Sequence, residues 1–311
     1  MTTLIFTHKA CLSHDPGANH PESPARLQAV LDALKSPAFA QCKWHEAPRA
    51  VPAQLALVHP GDYAERILAA VPASNGYALD PDTVLSPGSG EAALRAAGAL
   101  VAAVDAVMAG DGDNAFCAVR PPGHHAEPNR PMGFCVFNNA AIGALHARRN
   151  HGLERVAVVD FDVHHGNGTQ AMFARDPSLF YASTHQFPYY PGTGAADETG
   201  VGNLVNVPLA PFSGSAEFRA AMTDTILPAL SAFDPGFIII SAGFDAHQND
   251  PLAQLGLTEA DYGWVTAELL QVANQTCAGR VVSTLEGGYD LGALAASVGA
   301  HVSALMAFPQ A

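Results

Sequence analysis

Six short apolar runs constrain this chain more than any other feature. They cover residues 4–7, 115–119, 156–160, 179–183, 237–241 and 281–285, and each ends in, or is followed by, a polar residue or glycine. Unbroken apolarity over four or five residues fits a strand covered on both faces, because the in–out alternation disappears when neither face meets water. Between the runs lie Ala- and Leu-rich stretches of helical length, at 25–36, 90–109, 138–149, 215–233, 259–276 and 291–307. Strand–helix alternation predicts an α/β protein with a mostly parallel sheet and helices on both faces, in one domain over residues 1–311. Two segments rich in proline, glycine and aromatics, 121–134 and 185–202, interrupt the alternation. Loops this long inside a compact domain usually form sites.

Composition narrows the partners. Hydrophobic residues make up 49 % and charged residues 14 %, which is the balance of a chain that buries a core. Fifteen basic against 29 acidic residues leave a net charge of −14. That charge disfavours nucleic acid and anionic membranes and attracts cationic partners. The five cysteines (Cys11, Cys42, Cys117, Cys135 and Cys277) are odd in number and lack CxxC spacing. A reducing compartment is therefore expected, with neither a disulfide framework nor a cysteine-based zinc site. Met1–Leu4 lead directly into Ile5 and Phe6 without a basic, then apolar, leader, and no stretch approaches the ~20 uncharged apolar residues of a membrane span. Together these features predict a cytoplasmic protein.

Four segments carry chemistry. The run 156–160 leads into Asp160-Phe161-Asp162-Val163-His164. If the extended conformation persists, Asp160, Asp162 and His164 share one face at the carboxyl end of a parallel strand, where open α/β sheets bind ligands. No Arg or Lys flanks these groups to make a simple buried ion cluster of them. A second run, 237–241, is followed by Asp245. Asp162, His164 and Asp245 then give three ligands with an open position, the pattern of a catalytic metal site. One imidazole and two carboxylates make an oxygen-rich set, so Fe2+, Mn2+ or Co2+ could compete with Zn2+. The third segment holds the tandem His124-His125, suited to proton transfer near neutral pH. An Asp160 partner on one imidazole and an Asn167 partner on the other would split their roles, because a carboxylate raises an imidazole pKa far more than an amide does. The fourth segment, Glu286-Gly287-Gly288-Tyr289, places a phenol after a strand and a flexible turn. Such a phenol can donate to a developing oxyanion or simply pack.

With these four segments in one chain, the sequence resembles the histone deacetylase family, and within it the class II and bacterial acetylpolyamine-amidohydrolase-like branch. The resemblance runs from HPESPARL (20–27) to LEGGYDL (285–291). It rests jointly on RPPGHHA, MGFCVFNNAA, VDFDVHHGNGTQ and SAGFDAH. It implies the arginase–deacetylase fold, a three-layer α/β/α sandwich. It implies Zn2+ on Asp162, His164 and Asp245, with His125 as general base and then acid. His124 becomes an electrostatic partner held by Asp160, and Tyr289 polarises the substrate carbonyl. Phe134 and Tyr190 would wall an acyl-lysine tunnel, with Gly133 lending a backbone carbonyl. Arg26 and Cys135 would line a channel for the acetate product. A structural K+ would use Asp160, Asp162, His164, Ser183 and Thr184.

The implied substrate is an acetylated protein, peptide or amine, and a homo-oligomer is compatible with the family. Tyr190 stands where many members have Phe. Leu252 stands where polyamine-specialised relatives carry a glutamate, so a cationic substrate would lack that partner. An arginase-like ureohydrolase would need a second set of carboxylates, which is missing after His164 and after Asp245. A non-catalytic acetyl-lysine binder would be expected to lack Tyr289, a ligand or a histidine, and all are present.

Overall fold

A computed structural model describes residues 2–307. The strands are β1 (Thr3–Thr7), β2 (Lys43–Glu46), β3 (Tyr77–Ala78), β4 (Val84–Leu85), β5 (Asn114–Cys117), β6 (Val156–Asp160), β7 (Leu179–Gln186), β8 (Leu204–Leu209), β9 (Ile238–Ala242) and β10 (Val281–Leu285). The helices are α1 (Pro24–Leu34), α2 (Pro52–Leu55), α3 (Gly61–Ala69), α4 (Ser89–Ala109), α5 (Asn139–His151), α6 (Asn167–Phe173), α7 (Ser215–Ala221), α8 (Leu227–Phe233), α9 (Glu259–Cys277) and α10 (Leu291–Ala307). Eight strands form one sheet in the order β2-β1-β5-β10-β9-β6-β7-β8, and every pairing in it is parallel. β3 and β4 make a small separate antiparallel pair.

This order positions the site. The chain lays β1, β2 and β5 on one side and β6, β7 and β8 on the other, then fills the gap with β9 and β10. The carboxyl ends of β5, β10, β9 and β6 thus become neighbours, although they are far apart in sequence. The connections leaving those four strands carry the tandem histidines, Tyr289, Asp245 and the Asp162–His164 pair. Interior residues of the central strands, such as Ala157, Ile239 and Val282, are fully buried.

All six apolar runs are strands, and β6 and β10 keep the expected ends. β5 stops at Cys117 instead of 119, and β7 continues to Gln186. The two outermost strands were not expected. β2 is Lys-Trp-His-Glu and exposed throughout, and β8 mixes buried and half-buried residues. Edge strands need no continuous apolarity, so neither leaves the signal of a central strand. The expected helix over 215–233 is broken into α7, a π-helical turn at Met222–Ile226, and α8. Pro228 in the first turn of α8 has no N–H for an i−4 bond, and the ladder slips there by one residue.

By length and apolarity α4 could cross a membrane, yet two thirds of its apolar window is buried within the protein. It packs on α5, β1, β5 and β10, which accounts for its composition. Glu91, Arg95 and Asp105 interrupt it.

Candidate metal centre and active site

β6 ends at Asp160, and the extended conformation does not persist beyond it. The expectation that strand alternation aligns residues 160, 162 and 164 is therefore corrected. Asp160 Oδ1 accepts from the Asp162 N–H at 3.1 Å, and Asp162 Oδ1 accepts from the His164 N–H at 2.9 Å. Two successive carboxylate-to-backbone turns fold the segment instead, a local option open to Asp. Asp245 docks from β9 by accepting the Val163 N–H at 2.8 Å.

The result is a compact set. His164 Nδ1 lies 3.1 Å from both Asp162 Oδ1 and Asp245 Oδ2, and ligand atoms of the three residues lie within 4.8 Å of one another. All three side chains are buried. Two glycines make room. A Cβ on Gly243 would sit 2.1 Å from Asp162 Oδ2, and one on Gly287 would sit 2.1 Å from Asp245 Oδ2. Burial and the neighbouring Asp162 carboxylate push Asp245 up to about 7. The cluster thus tends to retain a proton to offset its charge, and a divalent cation would serve the same need. The donor set fits such an ion.

The tandem histidines are held differently. His124 Nδ1 pairs with Asp160 Oδ2 at 3.0 Å, whereas His125 Nδ1 meets Asn167 Oδ1 at 2.8 Å. The Asn167 amide donates to Glu127 at 2.8 Å, which orients its oxygen toward His125. Nδ1 of His125 therefore carries the proton and Nε2 the lone pair. Burial opposes charge on both rings. In His124 the carboxylates of Asp162 and Asp160 prevail and raise it to about 10. In His125 burial is reinforced by charge on His124 and His164 and holds the ring well below its ordinary value.

Glu286 completes the support. Its carboxylate accepts from the Gly123 and His124 N–H groups at 2.7 and 3.2 Å and from the Ser241 hydroxyl at 3.2 Å. Burial pushes it up to about 7. Sequence reasoning gave it no role, although the signal that marks Asp160, a carboxylate closing an apolar strand, is equally present there.

Tyr289 is anchored by its backbone N–H to Asp250 Oδ2 at 2.7 Å, with the Arg26 guanidinium 4.7 Å from its ring centroid. Burial holds its phenol well above the usual range, so it remains an O–H donor. A pocket of about 100 Å³ is lined by Asp82, His125, Gly133, Phe134, His164, Tyr190, Leu252 and Tyr289. A larger apolar hollow of about 360 Å³ beside α2 and α3 contains none of these groups.

Phe134 has a positive φ of 68°, and its N–H is held by the Thr83 hydroxyl at 3.1 Å. Gly133 also has a positive φ, 56°, and a Cβ there would strike the His125 ring at 2.4 Å. The Asp82 carboxylate accepts the Gly133 N–H at 3.2 Å. The loop between β3 and β4 thus pins one pocket wall, a contact with no local sequence signature. Tyr190 stands edge-on to His125 at 5.2 Å, and Tyr189 stacks on His164 at 5.6 Å.

The remaining expected residues fall nearby. Arg26 is fully buried, donating to the carbonyls of Gly288 and Glu286 and to Glu22. Cys135 is buried with its thiol 3.3 Å from the Gly133 carbonyl. Asp160 and Ser183 are direct register partners across β6 and β7, with Thr184 next along β7. The Ser183 hydroxyl is bonded to His185 Nδ1 at 2.9 Å. Behind the site, Glu22 binds Arg26, Arg120 and His14. Burial opposes its charge, but Arg120 and His14 hold it well below the usual carboxylate range.

Comparison with known proteins gives this geometry a family. The crystal structure of the HDA15 HD domain superposes with a TM-score of 0.92 at 36 % identity, covering 100 % of this chain and 90 % of that one. The histone deacetylase-like amidohydrolase of Pseudomonas aeruginosa is 43 % identical over 92 % of this chain and 81 % of its own length. Histone deacetylase 14, chloroplastic, of Arabidopsis thaliana is 40 % identical over 97 % of this chain and 76 % of its own length. The histone deacetylase domain model matches residues 20–305. The sheet is that of the arginase–deacetylase fold, and the chain belongs to the histone deacetylase family of hydrolases.

Proposed function

We propose that this chain hydrolyses the amide of N-acetyl-lysine, or of a similar N-acylated amine, using Zn2+ held by Asp162, His164 and Asp245. One observation carries the reading. An open three-ligand set, an imidazole held neutral and a protonated phenol converge on one narrow pocket. When bound, the ion supplies Lewis acidity and makes water a nucleophile near neutral pH.

The protein's own groups do the rest. His125 accepts the water's proton at Nε2, since Nδ1 is committed to Asn167. It returns that proton to the leaving amine. His124, charged through Asp160, fixes the electrostatics beside it without exchanging its proton. Tyr289 donates to the substrate oxygen as negative charge develops there. Phe134 and Tyr190 flank the acyl-bearing chain, and the Gly133 carbonyl faces it. Arg26 and Cys135 border the route for acetate. Potassium would sit by Asp160, Asp162, His164, Ser183 and Thr184, where oxygen donors predominate.

The test is dialysis against a chelator, followed by metal add-back, with deacetylation of an acetyl-lysine peptide as readout. Activity should vanish and return with zinc. Full turnover in metal-free protein would overturn the reading. A second substrate class, small acylated amines, is favoured by the Asp82 carboxylate in the pocket lining. The uncharged Leu252 in the same lining counters it. Parallel assay of acetyl-lysine peptide and acetylspermidine separates the two.

A further inference from the structure

A second cluster of metal-binding side chains lies at the far edge of the sheet. Asp105 belongs to the penultimate turn of α4, and His146 and His151 belong to the adjoining α5. α4 leads into the start of β5 and α5 into the start of β6, so both helices end at the amino edge of the sheet. The catalytic pocket lies at the carboxyl edge. His146 Nε2 is 2.6 Å, and His151 Nε2 is 2.7 Å, from the same oxygen, Asp105 Oδ1. Ligand atoms of the three residues lie within 4.8 Å of one another. Among the described residues, Asp162, His164 and Asp245 are the other group with this property.

Two imidazole nitrogens gathered around one carboxylate oxygen are a donor set that a small cation can collect in place of the shared proton. The His146 side chain is only 4 % exposed, and its Nδ1 is buried without a partner. Its one polar outlet is therefore Nε2, aimed at Asp105. The helix ends favour a cation as well. The carbonyl ends of α4 and α5 carry partial negative charge, and an acidic side chain there is unfavourable unless positive charge sits beside it. The last turn of α4 has no basic residue. The last turn of α5 carries Arg148, which is engaged by Asp176 at 2.7 Å, together with Arg149 and His151 itself. Asp105 is half exposed, which leaves room for water to complete the coordination.

We propose that Asp105, His146 and His151 form a second divalent-metal site that ties α4 to α5, separate from the catalytic pocket. Two imidazoles and one carboxylate suit a borderline ion such as zinc over calcium or magnesium. The site needs no catalytic turnover, so it can be counted independently.

The experiment is calorimetric titration of the full chain with zinc chloride, in wild type, Asp105→Asn, His151→Ala and Asp245→Asn. Asp105 and His151 are not core side chains, so their variants should fold. Wild type should bind two equivalents and each of the first two variants one, with amide hydrolysis unchanged in both. Asp245→Asn should also bind one, at the far-edge site. Equal stoichiometry in wild type, Asp105→Asn and His151→Ala would overturn the second site. Equal stoichiometry in wild type and Asp245→Asn would instead count against the catalytic zinc. Crystals soaked in zinc should show anomalous scattering between α4 and α5, and its absence there would equally overturn the proposal.

Discussion

Replacing Tyr289 by Phe removes a single oxygen, and the structure says what that oxygen does not do. Among the described residues the phenol has no hydrogen bond within the protein. The residue is held instead by the Asp250 contact to its backbone N–H, by Arg26 over its ring and by Phe134 edge-on at 5.8 Å. Phe keeps all three contacts, so the folded state should lose less than about 0.5 kcal/mol. The transition state loses an oxyanion donor, which costs roughly 10²–10³ in kcat, or about 2.7–4 kcal/mol. Because the donor acts on charge that develops during reaction, KM should change little. The assay is steady-state hydrolysis of an acetyl-lysine peptide alongside a thermal melt. A kcat within about threefold of wild type would refute the donor role. A large drop in Tm would refute the premise that the ring is held without its oxygen.

Two further predictions concern buried charge. Glu22→Gln removes the carboxylate between Arg26 and Arg120 and leaves two buried guanidinium groups without their shared partner. The cost should be about 3–5 kcal/mol, visible in denaturant midpoints, and a loss below about 1 kcal/mol would sink the argument. His301 is fully buried between the Thr266 and Ser283 hydroxyls, and burial lowers it to about 3. The unfolded chain, with an imidazole near 6.5, takes up a proton first as pH falls. Stability from this group is thus complete above pH ~6.5 and lost progressively as pH drops toward 3. Between pH 6.5 and 5.5 wild type should lose about 1 kcal/mol more than His301→Gln, and equal losses would exclude the effect.

The division of labour between His124 and His125 comes from partners brought in by different elements. Asp160 closes β6 and Asn167 opens α6, and the sheet order sets both against the loop that follows β5. A carboxylate keeps one ring charged. An amide leaves the other to burial, which makes it neutral. Two adjacent and identical side chains thereby acquire opposite protonation states. Glu286 holds the backbone of that loop in place.

The amino-acid sequence by itself determined the central strands and the alternation of layers, and it marked the candidate ligand and proton-transfer residues. Each of these leaves a local mark. A strand covered on both faces must be continuously apolar, and a carboxylate or imidazole at its end is conspicuous because burying it needs a partner. Tertiary structure decided what has no local mark. β2 and β8 lie at the sheet's edges, where polar residues are tolerated. The Asp162–His164 segment is a pair of turns, which the same residues could equally have spanned as a strand. The Glu22–Arg120 bridge, the Asp82–Thr83 clamp on Gly133 and Phe134, and the cluster of Asp105 with two histidines join residues 41 to 98 positions apart. Such pairings depend on the strand order, which is a property of the whole packed chain and not of any window along it.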